Sequence, residues 1–254
     1  MLRLDNLYFS IGEKNILNNI SAQFAASKIH GLIGPNGSGK SSLLKNICRI
    51  WEPKRGTVFI NGRDHRSFPR KDLSKVITLV PQNTWVGFPI SVYDYVSMGR
   101  NPHQGRFQAL TKKDKTVIEE ALIKTQTLEI KKQNINELSG GEAQLVIIAR
   151  ALTTEASLLL LDEPISDLDV KHTLTIMNLL RNLKEEGKTL LVSNHDLHLA
   201  RRYCDTITIL SRGAIFFHGP PSQAFSEENI RNVFEVKMAE IKHDSKSFLY
   251  FFQE

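Results

Sequence analysis

Cysteine is scarce in this chain. Only Cys48 and Cys204 occur, far apart and without C-x-x-C spacing, which argues against a zinc knuckle and against a disulfide framework. Both thiols read as small core fillers. No apolar run approaches the roughly 18 residues that a membrane span requires, so the chain is not expected to cross a bilayer by itself. The opening Met1-Leu2-Arg3-Leu4-Asp5 carries no apolar stretch behind a basic start; nothing marks export, and a cytosolic location is expected. Internal repeats, low-complexity tracts and long flexible linkers are missing as well. The net charge of +6 is carried by short groups such as Lys54-Arg55, Lys112-Lys113, Lys131-Lys132 and Arg201-Arg202, not by a block, which is the pattern of solvated faces. With no helix-turn-helix, zinc-finger or RNA-binding signature beside that charge, no nucleic-acid partner is expected.

What the chain does have is a phosphate-binding loop. Gly34-Pro35-Asn36-Gly37-Ser38-Gly39-Lys40-Ser41 fits G-x-x-x-x-G-K-[ST], and Ser42 follows it into a predicted helix through Ile47. His30-Gly31-Leu32-Ile33 reads as a short buried strand entering the loop. In this setting glycine backbones turn successive N–H groups onto phosphate oxygens at a helix N-terminus. Lys40 is expected over the β- and γ-phosphates, and the Ser41 hydroxyl on Mg²⁺.

The remaining pattern predicts an α/β fold: a phosphate-loop core with a parallel sheet, an N-terminal antiparallel β lobe and an inserted helical lobe. Two alternating stretches, Leu2-Leu4 and Ile16-Ile20-Ala22-Phe24, flank a turn at Gly12-Glu13-Lys14-Asn15, and Thr57-Val58-Phe59-Ile60 runs into the turn dipeptide Asn61-Gly62. Val76 to Val80 is a strand ended by Pro81-Gln82. From Ser91 to about Leu152 the spacing is helical, with Thr111 as a cap ahead of Val117, Ile118, Ala121 and Leu122. Leu158-Leu159-Leu160-Leu161 is apolar throughout, as a central parallel strand should be, and ends in Asp162-Glu163-Pro164. Asp169 caps a helix whose stripe is Val170, Leu174, Met177, Leu180 and Leu183, stopped by Gly187; Thr189 to Val192 is the next strand. The expected lobes are about 1–82 with 157–218 for the β lobe and core, about 88–152 for the helical lobe, and about 219–254 for a C-terminal extension. Lys242-His243-Asp244-Ser245-Lys246 reads equally as an exposed β turn and as part of a subunit contact.

Lys40, Gln82, Asp162, Glu163 and His195 all fall at or just past strand ends, where such sheets bind ligands. Adjacent strand residues point in different directions, so Asp162 can serve Mg²⁺ through its water shell while Glu163 polarises the water that attacks the γ-phosphate. Gln82 could reach metal or water by its amide oxygen, or be a plain turn residue. His195 could donate to the γ-phosphate, or its segment could merely cap the helix at Leu197. Ser139-Gly140-Gly141-Glu142 is a capping box for the helix through Val146 to Arg150. Its paired glycines, costing about 1 kcal/mol each in helix propensity, add what a cap does not need: a surface where phosphate can touch backbone. Since Lys40 already serves a phosphate site within the chain, that surface suits nucleotide bound to a second copy.

With these motifs in this order the chain resembles the ATP-binding subunit of an ATP-binding cassette transporter over essentially its whole length. Residues 34–41 resemble the Walker A loop, Gln82 the Q-loop, residues 138–144 the signature sequence, and residues 158–163 the Walker B strand with its catalytic Glu163. Residues 166–169 resemble the D-loop and His195 the switch histidine. The resemblance implies ATP and Mg²⁺ as ligands, with Ser41, Gln82 and Asp162 on the metal. It implies a head-to-tail homodimer in which Ser139 and Gly141 complete the partner's site. It also implies a membrane permease, indirectly a substrate-binding protein, and a peripheral place on the cytoplasmic face of the membrane. Val96-Ser97-Met98-Gly99-Arg100-Asn101-Pro102-His103, Arg202-Tyr203-Cys204-Asp205 and Glu228 to Phe234 resemble ATPases of importers for ferric siderophores, haem or cobalamin. Zinc and manganese importers share the Gly-Arg; a soluble assembly-factor ATPase is the alternative outside transport. Three positions depart from the family: Ile11 replaces an adenine-stacking aromatic, Leu145 an arginine and Ile165 a threonine. Neither Leu145 nor Ile165 removes a group with an assigned role.

Overall fold

Alternating apolar residues build the first strands in the computed structural model, which describes residues 1–82, 86–105, 108–243 and 246–253. Strand β1 (Leu2–Ile11) buries Leu2, Leu4, Leu7 and Phe9, and β2 (Lys14–Phe24) buries Leu17, Ile20, Ala22 and Phe24. The three-residue step from Leu4 to Leu7 coincides with a register shift and with Asn6 at φ 47, so a bulge keeps the apolar set on one face. Strand β3 (Ile29–Ile33), helix α1 (Lys40–Ile47), β4 (Arg55–Ile60) and β5 (Arg63–Asp64) follow. The antiparallel lobe has the order β2-β1-β4-β5. The turn at Gly12 and the one at Asn61-Gly62 stand where the sequence puts them.

The chain divides into two units, Met1–His65 with Leu191–Glu254, and Arg66–Leu190. The second holds α2 (Arg70–Leu73), β6 (Ile77–Val80), α3 (Val92–Ser97), α4 (Lys112–Lys124), α5 (Gly140–Leu152), β7 (Leu158–Asp162) and α6 (Val170–Glu185). Strands β6 and β7 pair in parallel, and all five residues of β7 are buried, as its run of leucines requires. Thr111 caps α4 with a complete capping box. One expectation is corrected: Val170 (75% exposed) and Leu174 (39%) do not belong to the buried stripe of α6. Ile176, Met177, Leu179, Leu180 and Leu183 do, because the apolar cover lies over the later turns of this helix while its first turn meets a neighbour through His172. Gly187 ends it at φ 87, with its N–H on the carbonyl of Lys184.

A buried cation ties this unit together. Arg100, in the 3₁₀ turn Met98–His103, is 2% exposed. Its Nε donates to Asp114 Oδ1 at 2.8 Å, and its Nη1 to the Thr153 carbonyl at 2.8 Å and to Glu155 Oε2 at 2.6 Å. Asp114 is the N3 member of the α4 capping box, and His103 Nε2 lies 2.9 Å from the Thr154 carbonyl. Hydrogen bonds from Thr111, with the Arg100 charge beside them, hold the Asp114 carboxyl down at about 2.

Strand β8 (Thr189–Ser193) carries the chain back into the first unit, followed by α7 (Leu197–Tyr203), β9 (Thr206–Ser211), β10 (Ala214–Gly219), α8 (Pro221–Ala224), α9 (Glu227–Phe234), β11 (Lys237–His243) and β12 (Lys246–Phe252). The order there is β10-β9-β3-β8, with β3 and β9 parallel. The closing β11–β12 hairpin buries Leu249 against Ile207, Ile209, Ile230 and Val233, with Met238 and Phe251 beside it. Asp244 and Ser245, in the segment read equally as an exposed turn and as part of a subunit contact, lie outside the described residues. Cys48 and Cys204 are half-buried free thiols, pushed up by burial to about 11 and about 12. Among the described residues no helix is long and apolar enough to cross a membrane.

Candidate nucleotide site

In the first unit the loop between β3 and α1 is shaped by glycine. Gly34 takes φ 150, and a Cβ there would stand 2.1 Å from the Leu210 carbonyl oxygen, so no larger residue fits. Gly37 and Gly39 also have positive φ, and Gly39 stands at the N-cap of α1 without a side chain to cap it. Gly39 therefore gives α1 no N-cap side-chain hydrogen bond of the usual kind. Lys40 is 5% exposed; its ammonium donates to the carbonyls of Gly34 at 2.9 Å and Pro35 at 3.2 Å, folding back across its own loop. Ser38 Oγ is buried and has no hydrogen-bond partner. A buried orphan hydroxyl, a lysine bent over the loop and a helix start with glycine at its N-cap are what a bound phosphate would complete. Ser41 and Ser42 are half-buried at the start of α1, while Asn36 and Gly37 are exposed on the loop.

Also in the first unit, β8 ends in Ser193-Asn194-His195-Asp196. Asp196 is the N-cap of α7, accepting from Leu199 N at 2.9 Å, and Asn194 Oδ1 accepts from Asp196 N at 2.9 Å. His195 and Asp196 are both exposed, and the capping bonds come from Asp196 and Asn194. Ile11, at the end of β1, is 53% exposed.

In the second unit Asp162 ends β7 at 4% exposure. Glu163 follows it in the left-handed region, φ 49, which no period-two alternation describes. The direction of Glu163 is therefore set by a strained turn and not by strand pleat. That turn brings it to Gln82: the amide Nε2 donates to Glu163 Oε2 at 2.7 Å across 81 residues of sequence. The acceptor fixes which end of the amide is nitrogen, and the amide oxygen of Gln82 is left for other work. Among the described residues no group of three His, Cys, Asp or Glu side chains could hold a metal. A hard cation here would rely on phosphate oxygens, a hydroxyl and a single carboxylate, which is how Mg²⁺ is commonly held.

Ser139 caps α5 in a full capping box: Oγ accepts from Glu142 N at 3.4 Å, and Glu142 Oε2 accepts from Ser139 N at 2.9 Å and Oγ at 2.6 Å. These bonds, more than anything else, hold the Glu142 carboxyl below the usual range. Ser139 and Gly140 are exposed, whereas Gly141 is buried. Gln144 Nε2, in the next turn of the helix, is buried with no partner. Leu145 is core, 5% exposed, which accounts for an apolar residue at that position.

Residues 17–166 match the ABC transporter family. The chain belongs to that family. The cassette is 36% identical over 247 residues to the iron(3+)-hydroxamate import ATP-binding protein FhuC of Bacillus subtilis, covering 97% of this chain and 91% of FhuC. It is 36% identical over 232 residues to the manganese transport ATP-binding protein MntB of Listeria innocua, covering 91% of this chain and 94% of that one. Identity to the cobalamin import protein BtuD of Halobacterium salinarum is 35% over 239 residues, 94% of this chain but only 60% of that relative's length. Among solved structures, a transporter of proposed metal-chelate type in an inward-facing conformation superposes with a TM-score of 0.86 at 27% identity, covering 99% and 96% of the two chains. The dimeric bacterial cassette MJ0796 superposes at 0.76 with 28% identity, covering 87% and 99%. The mixed α/β architecture is that of these ABC cassettes.

Proposed function

We propose that this ABC cassette is an ATP-hydrolysing motor subunit that closes as a head-to-tail dimer on ATP and drives a membrane permease from the cytoplasmic face. The observation that carries the reading is the hydrogen bond between Gln82 and Glu163, which joins two residues assigned to water attack from separate stretches of the chain. Lys40 and the amides of residues 34–42 hold the phosphates; Ser41 and Asp162, with Gln82, serve Mg²⁺, which neutralises phosphate charge when bound. Glu163 orients and deprotonates the attacking water, and His195 donates to the γ-phosphate. Ser139 and Gly141 meet the nucleotide of the second copy. The lobes about 1–82 with 157–218 and about 88–152 divide this work. Relatives named for iron(3+)-hydroxamate and cobalamin import support a cargo of the iron-siderophore, haem or cobalamin kind, which would be delivered by a substrate-binding protein. The manganese relative at the same identity keeps a zinc or manganese importer as the second reading.

Glu163→Gln should bind ATP, elute as a dimer with ATP in gel filtration and release no phosphate. Phosphate release at the normal rate refutes the role of Glu163. Lys40→Ala should lose nucleotide affinity by calorimetry, and unchanged binding would remove Lys40 from the phosphate site. Stimulation of the permease-reconstituted ATPase by a ferric siderophore and not by Mn²⁺ separates the two cargo readings.

A further inference from the structure

The ring of His172 lies on the backbone of Gly141. A Cβ built at Gly141 would come within 2.3 Å of His172 Cγ, 2.4 Å of Cδ2 and 2.7 Å of Nδ1. Real side chains do not sit so close, so glycine is required there by an intramolecular neighbour. The ring is held on its other side by the cap of α6: Nδ1 stands 2.9 Å from Asp169 Oδ2, while Asp169 Oδ1 accepts from His172 N at 2.8 Å. Glu142, the reciprocal member of the α5 capping box, follows Gly141 directly in the chain. One half-exposed imidazole thus touches the caps of two helices.

The α6 cap closes the loop that begins at Asp162 and Glu163. Ser166 donates from both N and Oγ to the Glu163 carbonyl, at 3.2 and 3.1 Å, and Asp167 joins Glu163 in the left-handed region at φ 58. Glu163 stands at one end of this hydrogen-bonded turn and Asp169 with His172 at the other. The Ser139–Glu142 turn, the His172 ring and the Glu163 loop are thus joined by direct contacts.

We propose that His172 is a positioning residue that joins the nucleotide-facing turn Ser139–Glu142 to the loop carrying Glu163, so that occupancy at the first sets the aim of the second. This rests on the reading of both segments given under Proposed function. His172 itself touches no substrate. Its absence should spare nucleotide binding at the phosphate loop and slow turnover, because small misplacements of reacting groups cost one to two orders of magnitude in rate.

The test uses the full chain in three forms, His172→Ala, His172→Asn and His172→Leu, each measured for kcat, KM for ATP and melting temperature. His172→Ala should lower kcat about tenfold with KM within about twofold. His172→Asn, whose amide N–H can donate to Asp169 where Nδ1 does, should recover most of the rate. His172→Leu, which fills the space but donates nothing to Asp169, should lose as much as His172→Ala. An undiminished kcat in His172→Ala overturns the proposal, and so does a loss that asparagine leaves unrepaired. Should the alanine variant fail to fold, the asparagine chain must keep most of the parent rate and His172→Leu must lose about tenfold; failure of either overturns the proposal equally. A wild-type chain that hydrolyses no ATP, or hydrolysis indifferent to Glu163→Gln, brings down the site reading and this proposal with it; the other outcomes bear on His172 alone.

Discussion

Arg100 shows how much a single residue can carry that a motif conceals. In the sequence, Gly99-Arg100-Asn101-Pro102-His103 reads as a mark of cargo class, yet in the fold Arg100 and His103 spend their polar atoms on Asp114, Thr153, Thr154 and Glu155. No pattern of charges in one chain announces such a clamp, because its partners lie 14 to 55 residues away. Removing one member of a buried ion pair strands the other, so Arg100→Ala should cost about 3 kcal/mol by denaturant titration. Arg100→Lys should recover little, lacking the fork that reaches three acceptors. His30 makes a second residue-scale prediction. Its Nε2 lies 2.9 Å from the Ala25 carbonyl and its Nδ1 2.6 Å from Thr206 Oγ1, and burial lowers its pKa below 6.5. The unfolded chain takes up a proton there that the folded chain resists, so this contribution is complete above pH 6.5 and is lost as pH falls below it. Melting temperature followed from pH 7.5 to 5.5 should drop, and less so in His30→Gln.

At the scale of elements, caps and strand cores were legible because they depend on near neighbours. Thr111, Ser139 and Asp169 sit where spacing predicts, and Asp196 lies in the segment read as a cap; each accepts the backbone N–H three residues on. Apolar periodicity failed at α6 because it counts residues and not neighbours: Val170 and Leu174 continue the stripe but nothing covers them. The direction of Glu163 was out of reach for another reason. Glutamate has no preference for the left-handed region, and only the assembled turn reveals it. The two capping boxes permit a controlled comparison. Thr111→Ala and Ser139→Ala should each cost about 1 kcal/mol of stability. Only Ser139→Ala should also depress ATPase activity beyond that, measured well below the melting temperature; equal loss of activity in both would reduce Ser139 to a cap.

For the whole molecule, the class of fold followed from one ordered set of motifs, while the working parts rest on contacts that close over long separations. Gln82 to Glu163 spans 81 residues. A sequence displays both residues but not their bond. Head-to-tail pairing has its own whole-molecule test: mixing chains with Ser139→Ala and chains with Glu163→Gln should give ATPase losses that are not the average of the two homodimers, since one mixed site is doubly damaged and the other intact. Activity that follows the simple average would mean each cassette works alone.

The backward twist at Glu163 has a consequence for heat. A side chain held in that region costs about 1 kcal/mol or more, which glycine would not incur. Glu163→Gly should therefore be inert toward ATP and yet melt no lower than the parent, leaving the idle protein the more durable one.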